Sequence, residues 1–360
     1  MHPIQLKEFL IYCLSKKKKN MIVLGIESTC DETAAAIVKD GHEILSNIIS
    51  SQIDLHREFG GVFPELACRT HIDMIIPIID EAIKKANITK DEIDLIAVAH
   101  GPGLIGAVLI GLNVAKALSL AWQKPFIGVN HIEAHLYSAM MDNIDNLIFP
   151  SLGIIISGGH TMLVKIQDVG KYELIGNTID DAIGEAFDKV ASILDLPYPG
   201  GPEVEKLSRK GDSSKYFFKA AKLKDAPYNF SFSGLKTKVL YTVKGQSSKK
   251  DSPTSIASEE KKHIAASFQK TAFSDLIEKA KKASNDFNLK ALYIGGGVSN
   301  NQTLREMFDK NNLNIPIFWP KKALSIDNAA MIAGLGYQKF INQKKSDNFS
   351  LEAFARAPLC

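Results

Sequence analysis

Residues 21–40 read MIVLGIESTCDETAAAIVKD. An apolar run of strand character ends at Gly25, Ile26 and Glu27, a small polar turn follows, and a second apolar run opens at Ala34. Residues 151–168, SLGIIISGGHTMLVKIQD, repeat the plan as strand, Ser-Gly-Gly turn, strand. The recurrence points to an internal duplication and to an α/β fold of two lobes, each opening on a strand–turn–strand unit. A glycine-rich turn between strands presents backbone N–H groups and lets a phosphate come close.

Strand and helix patterns alternate outward from these units. EILSNIIS (43–50) reads as a third strand, and 70–87 has apolar residues at helical spacing with a kink expected at Pro77. IDLIAVAH (93–100) and PFIGVN (125–130) read as buried strands. Between them lies GPGLIGAVLIGLNVAKALSLAW (101–122), apolar enough to raise a transmembrane question. Asn113 and Lys116 interrupt it, so a buried, glycine-faced helix of a soluble core is expected. KALYIGGGVSNNQTLREMF (290–308) is a strand, three glycines and a helix, and 327–343 is a helix with a small-residue face. Residues 244–261 are polar and read as a surface loop within the second lobe. The expected division is an extension over 1–20, a first lobe of 21–125 plus 325–360, and a second lobe of 126–324.

Composition narrows the classes. The 360 residues are 45% hydrophobic and 23% charged, an ordinary globular balance with mass enough for two cores. Four cysteines without CxxC spacing exclude a cysteine zinc site and a disulfide framework, so a reducing, cytoplasmic setting is expected. Residues 1–20 hold five lysines and one glutamate, or +4, so the other 340 residues sum to 3 − 4 = −1. A local basic surface would be invisible in that total. Within 1–20 the basic cluster follows the apolar run, the reverse of a secretory signal, and a disordered or weakly helical extension is expected.

The chemistry starts from NHIEAHLYS (130–138). Histidines four apart share one side of a helix, so His131 and His135 can ligate one metal or can be two helix histidines with no ligand. A zinc peptidase helix needs Glu directly after the first His. Here Glu133 stands two residues on, rotated about 200° from His131, and that reading loses its base. Asp327 in SIDNAAMIA (325–333) is either a helix N-cap or a third ligand. Two imidazoles and a carboxylate with open positions suit iron or zinc in Lewis-acid work.

GIESTCDETAAAIV, NHIEAHLYS, ISGGHTMLV, DDAIGEAFDKVASILDLPYPGGPEVEKL, NFSFSGLKT, GGGVSNNQTLR and DNAAMIA occur in an order that resembles the tRNA N6-adenosine threonylcarbamoyltransferase family, bacterial TsaD type. The resemblance spans about residues 21–356. It implies an actin-like (ASKHA) two-lobed fold. It also implies transfer of threonylcarbamoyl from threonylcarbamoyl-AMP to N6 of adenosine 37 in tRNAs reading codons that begin with A, with release of AMP. By the same resemblance His131, His135 and Asp327 hold one transition metal ion per chain, iron favoured and zinc the alternative. The adenylate turn maps onto Ile155, Ile156, Ser157, Gly158 and Gly159, with further contacts at Asp188, Gly201, Glu205 and Asn301. An adenine amine is a poor nucleophile, and Asp31 and Glu32 are candidate proton acceptors or, equally, turn caps. Family partners are a shorter TsaB-type paralogue and a TsaE-type ATPase, with no membrane. The competing readings are an ATP-hydrolysing member of the same fold, which would take Mg²⁺ through carboxylates, and a non-catalytic scaffold.

Overall fold

A computed structural model describes residues 20–245, 256–356 and 359. The extension expected over 1–20 therefore lies, except for Asn20, outside the described residues. The chain divides into two compact units, the first built from residues up to 56, 62–147 and 320–359, the second from 57–61 and 148–319.

Unit 1 holds a five-stranded sheet in the order β3-β2-β1-β4-β5, formed by β1 (Ile22–Glu27), β2 (Glu32–Lys39), β3 (Glu43–Ser51), β4 (Leu95–Gly101) and β5 (Phe126–Asn130). β1 and β2 pair antiparallel with Glu27 opposite Ala34, as do β2 and β3, whereas β1, β4 and β5 run parallel. β1 and β2 are buried at nearly every position because helices cover both faces of this sheet. Unit 2 repeats the topology with β6 (Ser151–Ile156), β7 (Thr161–Asp168), β8 (Lys171–Asn177), β9 (Leu292–Gly295) and β10 (Ile317–Phe318) in the order β10-β9-β6-β7-β8. The same antiparallel and parallel neighbours recur. The duplication expected from the two strand–turn–strand segments is thus present strand for strand.

The longer helices of unit 1 are α1 (Pro64–Lys85), α2 (Ile105–Trp122), α3 (His131–Ser138) and, after the second unit, α9 (Ala329–Gln343). Those of unit 2 are α4 (Ile183–Ile193), α5 (Gly200–Ser208), α6 (Ser233–Lys244), α7 (Ser258–Asp286) and α8 (Gln302–Asn311). α1 starts six residues before the expected helix and runs through Pro77. α2 is less buried than expected: Ala107, Gly111 and Ala115 pack inward while Ile105, Leu109 and Leu120 stay exposed. The boundary expected at residue 126 is also corrected. β5 pairs with β4 and α3 follows it directly, so residues 126–147 belong to unit 1. The polar loop expected over 244–261 is shortened where α7 begins at Ser258, and its residues 246–255 lie outside the described ones.

Small residues set the closest approach in unit 1. A Cβ on Gly25 of β1 would stand 2.2 Å from the Ala329 carbonyl oxygen and 2.8 Å from the Ala333 nitrogen, both backbone atoms of α9. Neither can move without the helix shifting. Gly336 faces Ala97 of β4 in the same way. Overpacking of this kind costs about 1–3 kcal/mol. Gly25→Ala is expected to lower the unfolding free energy measured by urea titration by that order, while Gly61→Ala, which meets nothing, leaves it within about 0.5 kcal/mol.

Candidate metal centre and adenylate turn

α3 begins immediately after β5, and Asn130 ends the strand and starts the helix together. Its Oδ1 accepts the amides of Ile132 at 2.9 Å and Glu133 at 3.2 Å. All eight residues of α3 are buried, both histidines included. The imidazole centroids of His131 and His135 lie 4.6 Å apart, as one helical turn requires.

Asp327 joins them. One ligand atom from each of His131, His135 and Asp327 lies within 4.8 Å of the others. Asp327 Oδ1 stands 3.0 Å from His135 Nε2 and 3.6 Å from His131 Nε2. The alternative role as helix cap is taken by the next residue: Asn328 Oδ1 accepts the Met331 amide at 3.1 Å. Glu133 is not among the clustered ligand atoms, in keeping with its rotation away from His131.

The donor set fits a metal ion. Both ring nitrogens of His135 are buried and neither makes a hydrogen bond, even with Asp327 so close. A buried polar atom left unpaired costs about 1–3 kcal/mol, and a shared cation removes that cost. His131 is prepared for the same ion. Its Nδ1 donates to Glu27 Oε2 at 2.9 Å and has Thr29 Oγ1 at 3.2 Å. This leaves Nε2 as the nitrogen with a lone pair toward Asp327. Burial opposes a charge on His131, but the Glu27 and Asp327 carboxylates outweigh it and hold the ring's pKa up at about 9. A cation would take the place of that extra proton.

Glu27 escaped the sequence reading. It closes an apolar strand, is 1% exposed, and also fixes the turn by taking the Thr29 amide at 2.6 Å. A lone carboxylate ending a fully apolar strand was the available signal. His71 of α1 was missed too. It donates from Nε2 to the Cys30 carbonyl at 3.0 Å and accepts the Thr33 hydroxyl at 2.7 Å, pinning the turn from behind. Burial keeps its pKa low, so it serves as a neutral brace.

Asp31 and Glu32 sit in that braced turn, both largely buried. Burial first, then the charges of Asp327 and Asp31, push the Glu32 carboxyl up to about 10. Glu32 therefore carries a proton at neutral pH and shares it with Asp31 through a side-chain hydrogen bond.

In unit 2 the turn between β6 and β7 is closed by the Ser157 amide donating to the His160 carbonyl and the His160 amide donating to Ser157 Oγ. Among the described residues, the amides of Gly158 and Gly159 have no hydrogen-bond partner. A Cβ on Gly158, Gly159 or Gly201 would meet nothing, and none of the three has positive φ. Neither packing nor backbone conformation demands glycine there, so the surface over these three positions is open. Ile155 and Ile156 are fully buried in the sheet and can offer only backbone atoms. Asp188 Oδ1 takes the Gly200 amide at 2.8 Å, and Glu205 Oε1 takes the Gln302 amide at 2.8 Å, joining α5 to α8. Asn301 caps α8 through the Leu304 amide and donates to Gln269 at 3.1 Å.

Duplicated 3-2-1-4-5 sheets define an actin-like protein, and the clustered histidines and carboxylate add a set of side chains able to hold a metal ion. The chain belongs to the family whose model is described as TsaD, tRNA N6-adenosine threonylcarbamoyltransferase, matched over residues 43–334. It is 59% identical over 339 residues to the tRNA N6-adenosine threonylcarbamoyltransferase of Protochlamydia amoebophila, covering 94% of this chain and 98% of that one. It is 47% identical to the Bacillus subtilis protein of the same name, covering 89% and 91%. Among solved structures, HypF of T. kodakarensis superposes with a TM-score of 0.61 at 15% identity, over 91% of this chain and 48% of HypF. That likeness bears on the fold alone.

Two outcomes follow from the site. Glu27→Gln keeps the shape but weakens the orienting bond, and is expected to lower metal affinity about 10- to 100-fold, read by chelator competition. Glu32 has a folded pKa above its unfolded value of 4.5, so folding binds its proton and its charge is penalised. Stability of the metal-free protein should fall as pH rises above the unfolded value toward about 10. Glu32→Gln should flatten that slope in thermal melts and leave stability below the unfolded value unchanged.

Proposed function

We propose that the chain transfers threonylcarbamoyl from threonylcarbamoyl-AMP to N6 of adenosine 37 in tRNAs reading codons that begin with A. The convergence of His131, His135 and Asp327 carries this reading for the chain's own residues. In the step itself the N6 amine attacks the carbamoyl carbonyl carbon, the bond from that carbon to the phosphate oxygen breaks, and AMP leaves with the electron pair.

The roles divide by chemistry. The Gly158 and Gly159 amides donate to the adenylate phosphate, where backbone donors cost no reorganisation. Asp188 and Glu205 accept ribose hydroxyls, Gly201 leaves room beside them, and Asn301 turns its remaining amide proton to the nucleoside. Asp31 takes the proton released by the attacking amine, and the proton held on Glu32 steadies the Asp31 carboxylate. His131, His135 and Asp327 hold one iron ion, with zinc as the alternative, since two imidazoles and a carboxylate suit both. When bound, that ion supplies Lewis-acid stabilisation of charge on phosphate or carbamoyl oxygen. Glu27 keeps His131 in the ligating tautomer.

The partners are a TsaB-type paralogue and a TsaE-type ATPase, and the setting is the cytoplasm, where tRNA is found. The first partner has a candidate seat in unit 1. α1 exposes Ile72 and Ile76 and α2 exposes Ile105 and Leu109, each pair one turn apart. The helices abut where a Cβ on Gly106 would stand 2.6 Å from Cys68 Sγ. Exposed apolar residues at this spacing suit helix-on-helix docking with a related subunit.

The test supplies threonine, bicarbonate, ATP, tRNA and partner proteins with and without this chain, and measures modified adenosine by mass spectrometry. His131→Ala is expected to reduce product at least about 10³-fold, on the scale of losing one main transition-state contact, while partner binding persists. Near-wild-type product from this variant would remove the metal from the mechanism. Loss of partner binding alone would favour a scaffold.

A further inference from the structure

Between Ser214 and Lys244 the sequence holds seven lysines (215, 219, 222, 224, 236, 238 and 244) against one acid, Asp225. The chain as a whole has 43 basic and 40 acidic residues; Lys215 pairs with Glu260 and Lys236 with Asp181, and the local basic excess that the total hides lies on the other five lysines. Most of the segment connects α5 to α6 without helix or strand, a length that is uncommon unless the loop has work to do.

The loop is fixed at both ends. Tyr216 donates to Glu260 at 2.8 Å and stacks on the buried Phe218, and Tyr228 donates to Asp286 at 2.6 Å. Residues 216 and 218 thus face inward and residue 217 is turned out. Phe217 is 81% exposed, with the Lys219 ammonium 5.4 Å from its ring centre. Lys222 and Lys224 are exposed and, among the described residues, form no ion pair. An aromatic ring held in water with one ammonium over it, on a loop that carries two further exposed lysines, matches the chemistry of single-stranded nucleic acid: the ring stacks on a base while the lysines meet phosphates.

We propose that Phe217, Lys219, Lys222 and Lys224 form a contact surface for tRNA, with Phe217 stacking on an unpaired base and the lysines neutralising backbone phosphates. The proposal rests on tRNA being the substrate and says where unit 2 meets it.

The test is fluorescence anisotropy of labelled tRNA on the full-length protein across a salt series. K219A/K222A/K224A is expected to lower affinity at least about 10-fold and to reduce the log–log salt slope by about 2, at roughly 0.7 per phosphate contact in single strands. Phe217→Ala should weaken binding roughly 5- to 100-fold with the slope unchanged, as loss of one stacked base does, and Phe217→Trp should restore it. Melting temperature and metal content report that the variants fold. Wild-type affinity and slope in both variants would overturn the surface, and if the wild-type chain still modifies tRNA, the proposed function would survive. A wild-type chain that neither binds nor modifies tRNA would overturn both. Variants that keep tRNA affinity but lose a protein partner would reassign the patch and overturn the RNA proposal.

Discussion

The backbone contact between β1 and α9 governs the geometry of unit 1. Gly25 lets the helix settle directly on the strand, where any side chain would collide with the Ala329 carbonyl. Glu27 lies two residues beyond Gly25 and Asp327 two residues before Ala329. The close packing therefore brings a strand end and a helix start together, with α3 entering from β5 alongside. The two carboxylates then engage different imidazole nitrogens. Glu27 takes Nδ1 of His131, and Asp327 faces Nε2 of both rings.

The two units use one topology for different ends. In unit 1 the turn between the first two strands is filled with carboxylates and braced by His71. Its charge is balanced by a proton on Glu32 and, with metal bound, by the ion. In unit 2 the corresponding turn is stripped to Ser157, Gly158 and Gly159, with the amides of the two glycines unpaired among the described residues. Breaking a buried pair such as Glu27 and His131 from one side typically costs about 3–5 kcal/mol, so this pair is also a structural joint between β1 and α3.

Much of this was legible from residue patterns because buried strands leave long apolar runs. β1, β2, β4 to β7 and β9 announce themselves in that way. β8 does not: in KYELIGN only Gly176 is buried, and no clear alternation marks it. β10 has two residues, too few for any period. The lobe boundary was misplaced because a parallel partner for PFIGVN is a long-range choice that local pattern does not encode. Asp327 and Asn328 are both capping residues, and only the backbone at Asn328 decides between them. The histidine pair was visible from its spacing, whereas Glu27 and His71 act through contacts 104 and 41 residues away along the chain.

X-ray absorption at the metal edge of the purified protein addresses the ligand set most directly. The account predicts one ion per chain with two imidazole signatures and light-atom ligands at about 2.0–2.2 Å, both imidazoles disappearing in a His131→Ala, His135→Ala double variant. An all-oxygen shell without imidazole scattering, or a spectrum unchanged in the double variant, would contradict it.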